Sequence, residues 1–144
     1  MTSQDFQLAI EVNASAEVAF EKINEVSKWW AKKVKGSSGE PGGKFTVDFG
    51  STWVAFSITE FKPGKKVKWK VTDCNLHWIE NKKEWTGTEV TFDISSRGKS
   101  TRINFTHNGL IPACECYDDC KVGWTEHVAE SLVKLINEGA GAPQ

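Results

Sequence analysis

Any chemistry in this chain has to come from its cysteines and histidines. Three of its four cysteines, Cys114, Cys116 and Cys120, sit close together, with Cys74 and the three histidines, His77, His107 and His127, elsewhere. Thiolates at short spacing can hold zinc in a tetrahedral set of sulfur and nitrogen ligands. The intervals here, one and then three intervening residues, match no standard zinc module, and there is no CxxC pair. The reading is therefore small buried thiols and no metal. Joint oxidation of Cys116 with Cys114, or with Cys120 one helical turn away, stays open.

His107 stands in phase with Ile103 and Phe105 on an alternating stretch, so its side chain points inward. Near the start of the last helix it can meet Tyr117, Cys120 or Trp124. A neutral imidazole there can hydrogen-bond a ligand, act as a base, or simply be satisfied within the fold. His127 lies at the boundary of an apolar helix face, and His77 falls in an irregular, exposed stretch. No GxSxG, glycine-rich phosphate loop or HExxH occurs. Asp118 and Asp119 diverge around a helix and do not converge for acid–base work, while Glu89 and Asp93 fall on a solvent phase. The inward set is nearly all carbon, which favours binding over catalysis. No catalytic residue and no cofactor is expected.

Periodicity supplies the elements that position these groups. Phe6, Leu8, Ile10 and Val12 alternate with polar residues, as in a half-buried strand. Ser15 reads as an N-cap, followed by Ala19, Ile23, Val26 and Trp30 on one helical stripe, with a break near Ser27 and a short second helix carrying Trp29 and Trp30. The stretch 31–43, rich in Gly, Ser and Lys, reads as an exposed loop. Five strands follow, with inward sets of Phe45 and Val47, Trp53, Trp69 and Val71, Phe92 and Ile94, and Ile103 with Phe105. Lys66, Lys68 and Lys70 form a polar row on the opposite face. Residues 74–87 form a long irregular connection of the kind that serves as a lid or rim. Tyr117 to Glu138 reads as one continuous helix with a broad apolar arc around Trp124, Val128, Leu132 and Leu135. Gly139 is its C-cap, with a frayed tail beyond.

Hairpin connections and helices segregated at the ends imply an α+β fold: about six antiparallel strands, curved around a long C-terminal helix, in a single domain spanning 1–144. A net charge of −1 gives no field for nucleic acid or anionic lipid. No stretch is apolar for long enough to span a bilayer, and the N-terminus lacks the layout of a signal peptide. With four cysteines and no export signal, a reducing cytoplasmic setting is expected. Seven Trp and eight Phe supply both core and a possible aromatic-lined cavity.

The SAEVAFEKINEVSKWW segment, Val67-Lys68-Trp69, Glu84-Trp85-Thr86-Gly87-Thr88, the strand Thr101 to Leu110 and the closing Cys116, Trp124, Leu132 and Gly139 carry a resemblance. Across nearly the whole chain, the pattern resembles the START-like (SRPBCC) superfamily, and within it the family named after the activator of heat-shock protein 90 ATPase. The resemblance implies a helix-grip fold with an apolar cavity between sheet and closing helix. Superfamily members bind lipids, sterols, polyketides or plant hormones, and some catalyse cyclisation or hydrolysis. The expected function is binding of a small hydrophobic molecule by Trp53, Trp69, Trp78, Trp85, Phe92, Phe105, His107, Trp124 and Val128. The alternatives are a protein-interaction or co-chaperone-like module using the lysine row, and a cyclase- or hydrolase-type enzyme using His107. The co-chaperone that names the family carries a further N-terminal domain without a counterpart in these 144 residues, so ATPase activation is not the first expectation.

Overall fold

The structure is a computed structural model that describes residues 5–144; the start of the N-terminus read above lies outside the described residues. Its elements run β1 (Phe6–Val12), α1 (Ala16–Asn24), α2 (Val26–Trp29), β2 (Lys33–Gly36), β3 (Lys44–Asp48), β4 (Trp53–Lys62), β5 (Lys66–Asn75), β6 (Glu89–Arg97) and β7 (Ser100–Asn108). The closing helix is α3 (Tyr117–Trp124), a π-helical segment (Thr125–Leu132) and α4 (Val133–Glu138) without interruption. The strands form one antiparallel sheet in the order β1-β7-β6-β5-β4-β3-β2. Register irregularities at Ala55/Phe56 and Ile58/Glu60 interrupt the β4–β5 ladder, and bulges of this kind bend a sheet. The concave face carries Phe45, Val47, Val54, Phe56, Ile58, Trp69, Phe92, Ile103 and Phe105, all buried in one core. The α+β helix-grip architecture is as the sequence implies.

Four details differ from the periodicity reading. The sheet has seven strands, because residues 33–36 of the expected loop pair with β3, from Lys33 opposite Asp48 to Gly36 opposite Phe45. This edge strand is recognised by backbone pairing and not by a side-chain pattern, since Val34 is its one apolar residue. Gly36 ends it at φ 92°, where a Cβ would lie 2.2 Å from the Lys44 carbonyl oxygen. The break between the first two helices falls at Glu25 (φ −85°, ψ 61°), two residues before the expected one. Trp29 steadies it by donating its indole N–H to the Ile23 carbonyl at 3.0 Å.

Trp53 does not face the interior. Val54, Phe56 and Ile58 fill the concave side of β4, which places Trp53 on the convex side, half-buried, with the Lys83 ammonium 5.1 Å from its ring. Both phases of that strand are apolar, so alternation alone left its facing undetermined.

The tail is not frayed. Beyond Gly139, the Ala142 amide donates to Ser131 Oγ at 2.8 Å, and that hydroxyl donates to the Trp29 carbonyl at 2.6 Å. Gln144 exchanges backbone bonds with Trp30 (3.0 Å) and Lys32 (2.8 Å). Gly141 is required for this close path, because a Cβ there would approach the Lys28 carbonyl oxygen to 2.5 Å. Ser131 faces inward within the π-helical segment, where each turn holds more residues than an α-helical wheel assumes.

The Ser131 hydroxyl therefore ties helix, α2 and tail together. Ser131→Ala is expected to lower stability by about 1–3 kcal/mol and to release the Ala142 amide to hydrogen exchange. Urea titration and exchange mass spectrometry measure both. Unchanged protection at Ala142 would mean that the tail is held by other contacts.

Candidate functional site

The end of the grip nearest α3 is built on a buried polar circuit. The Trp124 indole N–H donates to His107 Nδ1 at 3.0 Å, and His107 Nε2 lies 2.9 Å from Thr88 Oγ1. Thr88 has one hydroxyl proton, and it goes to the Trp85 carbonyl at 2.6 Å. An indole nitrogen can only donate, so Nδ1 is the acceptor and Nε2 must carry the imidazole proton. The Trp85 indole N–H in turn donates to Cys116 Sγ at 3.3 Å, at the foot of the same helix that carries Trp124. His107 is fully buried, and burial pushes its pKa down to about 3, with Asp5 pulling weakly the other way. It is a neutral, fully satisfied imidazole.

A second set of bonds fastens the irregular connection to the segment before α3. The Glu84 carboxylate accepts from the backbone N–H groups of Glu115 (2.8 Å) and Cys116 (3.0 Å). In return, the Glu115 carboxylate accepts from those of Glu80 (2.8 Å) and Asn81 (3.0 Å). The Asn81 and Glu80 donors hold the Glu115 carboxyl below the usual carboxylate range. The long connection is thus a clamped rim, with Trp78 at its outer edge. Trp78 is 44% exposed and donates its indole N–H to Asp119 Oδ2 at 3.1 Å.

Between this rim, the ends of β3 and β4, and α3 lies a cavity of about 250 Å³. Trp30, Val54, Leu76, Trp85 and Trp124 form its inner wall, while Phe49, Trp78, Asp119, Gly123 and Gln144 complete it toward the mouth. Cys120 and His127 also contribute, and burial pushes the His127 pKa down to about 4. Thr52 closes the remaining side, bonded to the exposed His77.

Of the residues expected at a ligand site, Trp78, Trp85 and Trp124 meet around this cavity. Trp69, Phe92, Phe105 and Val128 do not line it: they are packed behind it as fully buried core. Trp69 alone meets Phe45, Phe56 and Phe92 at 5.0–5.5 Å ring separation, edge-on or tilted. His107 is likewise enclosed, and Trp53 is on the other face of the sheet. Cys120, and His127 at the boundary of the helix's apolar face, line the cavity because the centre of that face is consumed in packing. Trp30, Phe49, Asp119 and Gln144 were not foreseen. A clue to Trp30 lay in the Trp29-Trp30 pair, whose two rings both follow the core stripe.

All four cysteines are free. The adjoining Cys120 thiol, and then burial, hold the Cys116 thiol well above its ordinary range, so it is a protonated acceptor for Trp85. No group of three or more His, Cys, Asp or Glu among the described residues could hold a metal ion. No helix among them is long and apolar enough to cross a membrane.

The neutral His107 predicts acid sensitivity. Free imidazole titrates near 6.5 and this one near 3, so between those values only the unfolded chain takes up the proton. Its contribution is fully present above pH 6.5 and is lost as pH falls toward 3, by about 2 kcal/mol at pH 5. His107→Phe should cost about 1–3 kcal/mol at neutral pH, by leaving the Trp124 donor unpaired, yet flatten the pH dependence. Urea titrations across this range test it; an unchanged slope would refute a buried neutral ring.

The profile of the family described as activator of Hsp90 ATPase homologue 1-like proteins matches residues 15–137. No curated protein matches the sequence. Among solved structures, the chain resembles the Aha1 dimer from Colwellia psychrerythraea at 23% identity and a TM-score of 0.78, over 95% of this chain and 98% of that one. It also resembles a protein from Chromobacterium violaceum (14% identity, TM-score 0.72, 92% and 96% covered). A third, from Staphylococcus saprophyticus, gives 13% identity and a TM-score of 0.70, with 96% and 95% covered. At these identities the structural likeness is one of fold.

Proposed function

The chain belongs to the family of activator of Hsp90 ATPase homologue 1-like proteins, and from that premise we propose that it is a binding module that docks a partner protein through the mouth of its grip. The carrying observation is an exposed apolar pair there. Trp78 is 44% and Val122 55% exposed, and Val122 stands one turn along α3 from the Asp119 that holds Trp78. An exposed tryptophan held in one pose by a hydrogen bond makes a strong anchor at an interface, because little freedom is lost on docking. The grip's interior supports the same reading, since the chain's own rings fill most of it: Trp30 lies 4.9 Å from Trp124 and 5.6 Å from Phe56.

The lysine row offers less. Lys66 faces Asp93 and Lys70 faces Glu89 across the β5–β6 ladder, and Lys66 also approaches Glu60 at 3.8 Å. The convex face is therefore of mixed charge and presents no basic patch. The family description directs the choice of partner to test, an Hsp90-type ATPase.

A second reading, a small hydrophobic molecule held by Trp78, Trp85 and Trp124, is favoured by the 250 Å³ cavity. An enzymatic role for His107 has no comparable support, because the buried ring does not line this cavity.

NMR titration of the protein with an Hsp90-type ATPase should shift resonances around Trp78 and Val122. Trp78→Ala and Val122→Asp should each weaken binding by about tenfold or more with an unchanged melting temperature. Saturable binding that neither change affects would move the docking site elsewhere, and no binding at all would remove this partner class.

A further inference from the structure

We infer that the mouth cavity accepts a small organic ammonium ion. This concerns the occupant of the cavity, which shares Trp78 with the docking surface proposed above.

Two properties of the lining carry the inference. The first is the number and the state of its aromatic rings. Trp30, Phe49, Trp78, Trp85 and Trp124 surround a space of about 250 Å³. Three of the four indoles have their N–H committed within the protein: Trp78 to Asp119, Trp85 to Cys116 and Trp124 to His107. These rings offer an occupant no donor, only ring carbon and π density. Trp85 and Trp124 are moreover held nearly parallel, 9° apart at 5.7 Å between centroids. Clustered electron-rich rings attract a cation, and indole does so more strongly than phenyl.

The second property is the sign of the charge. Asp119 is the one ionised side chain in the lining, and no lysine or arginine among the described residues contributes to it. His127 adds no positive charge, since burial pushes its pKa down to about 4. Asp119 accepts the Trp78 N–H through Oδ2, which places its carboxylate at the mouth. A carboxylate or phosphate ligand would meet that charge without a compensating cation. A purely apolar ligand would leave it unused. A trimethylammonium head or a protonated aralkylamine satisfies both the rings and the acid. The volume suits such a head with a short carbon tail, and is small for a sterol or a long acyl chain.

The experiment compares matched probes by the shifts of the Trp78 and Trp124 indole N–H signals on the full chain. Choline, its uncharged isostere 3,3-dimethylbutan-1-ol and the anion phenylacetate are each titrated at low salt. The expected result is saturable shifts with choline, about tenfold weaker with the isostere, and none with phenylacetate. Asp119→Asn retains an oxygen to accept the Trp78 N–H while removing the charge, so it should weaken choline by about tenfold and leave the isostere unchanged. The inference is overturned if choline gives no saturable shift, if the isostere binds as well as choline, if phenylacetate binds more tightly, or if Asp119→Asn leaves the preference intact. A failed Hsp90-type titration would not produce any of these results.

Discussion

The structure turns on one hydrogen bond, from the Trp124 indole to His107 Nδ1. It joins the closing helix to the last strand at a point sealed from water. A donor there without an acceptor would cost more than the bond itself contributes. The bond is one link in a closed path. From Trp124 it runs through His107 and Thr88 to the Trp85 backbone, and the Trp85 ring returns to Cys116 at the start of the same helix. Helix, strand and irregular connection are therefore fixed together. Losing any one group orphans its neighbours in a low-dielectric interior.

That path determines where open space can exist. Sheet and helices meet through a continuous aromatic packing, in which Trp30, Trp69, Trp124, Phe56, Phe92 and Phe105 form a closed chain of rings 4.6–6.5 Å apart. The cavity lies at the margin, where the helix's apolar arc ends and the clamped rim begins. Glu84 and Glu115 hold that rim by exchanging carboxylates for backbone donors, so Trp78 is carried on a fixed support although it faces solvent. In a helix-grip module of this family, an aromatic mouth ready-made in this way is the feature suited to binding.

The parts of this arrangement that sequence made legible are those with a strong period. The alternation of β1, β5, β6 and β7, the Ser15 cap and the stripe ending at Trp30 each appear where their spacing places them, and the resemblance carried by those segments supplied the topology. Where the period was ambiguous or absent, reading failed for identifiable reasons. Strand β4 is apolar on both phases, so Trp53 was assigned to the wrong face. Strand β2 is made by backbone pairing at an edge. The tail is held by Gln144 backbone bonds and by a buried serine inside a segment that winds differently from an α-helical wheel. The site suffered most. Large inward aromatics read equally as cavity wall or as core, and tight packing is what they do first. A cavity needs residues that stop short of each other, and that is a property of pairs of elements that no single segment displays.

The central claim, that a neutral His107 locks the closing helix to the sheet and so fixes the aromatic mouth, is tested most directly by the nitrogen resonances of that imidazole. Long-range proton–nitrogen correlation spectra should show Nε2 protonated and Nδ1 a bare acceptor, unchanged as the pH is lowered well below the ordinary histidine range for as long as the protein stays folded. A proton on Nδ1, or a ring that titrates near 6.5 in the folded protein, would contradict the account.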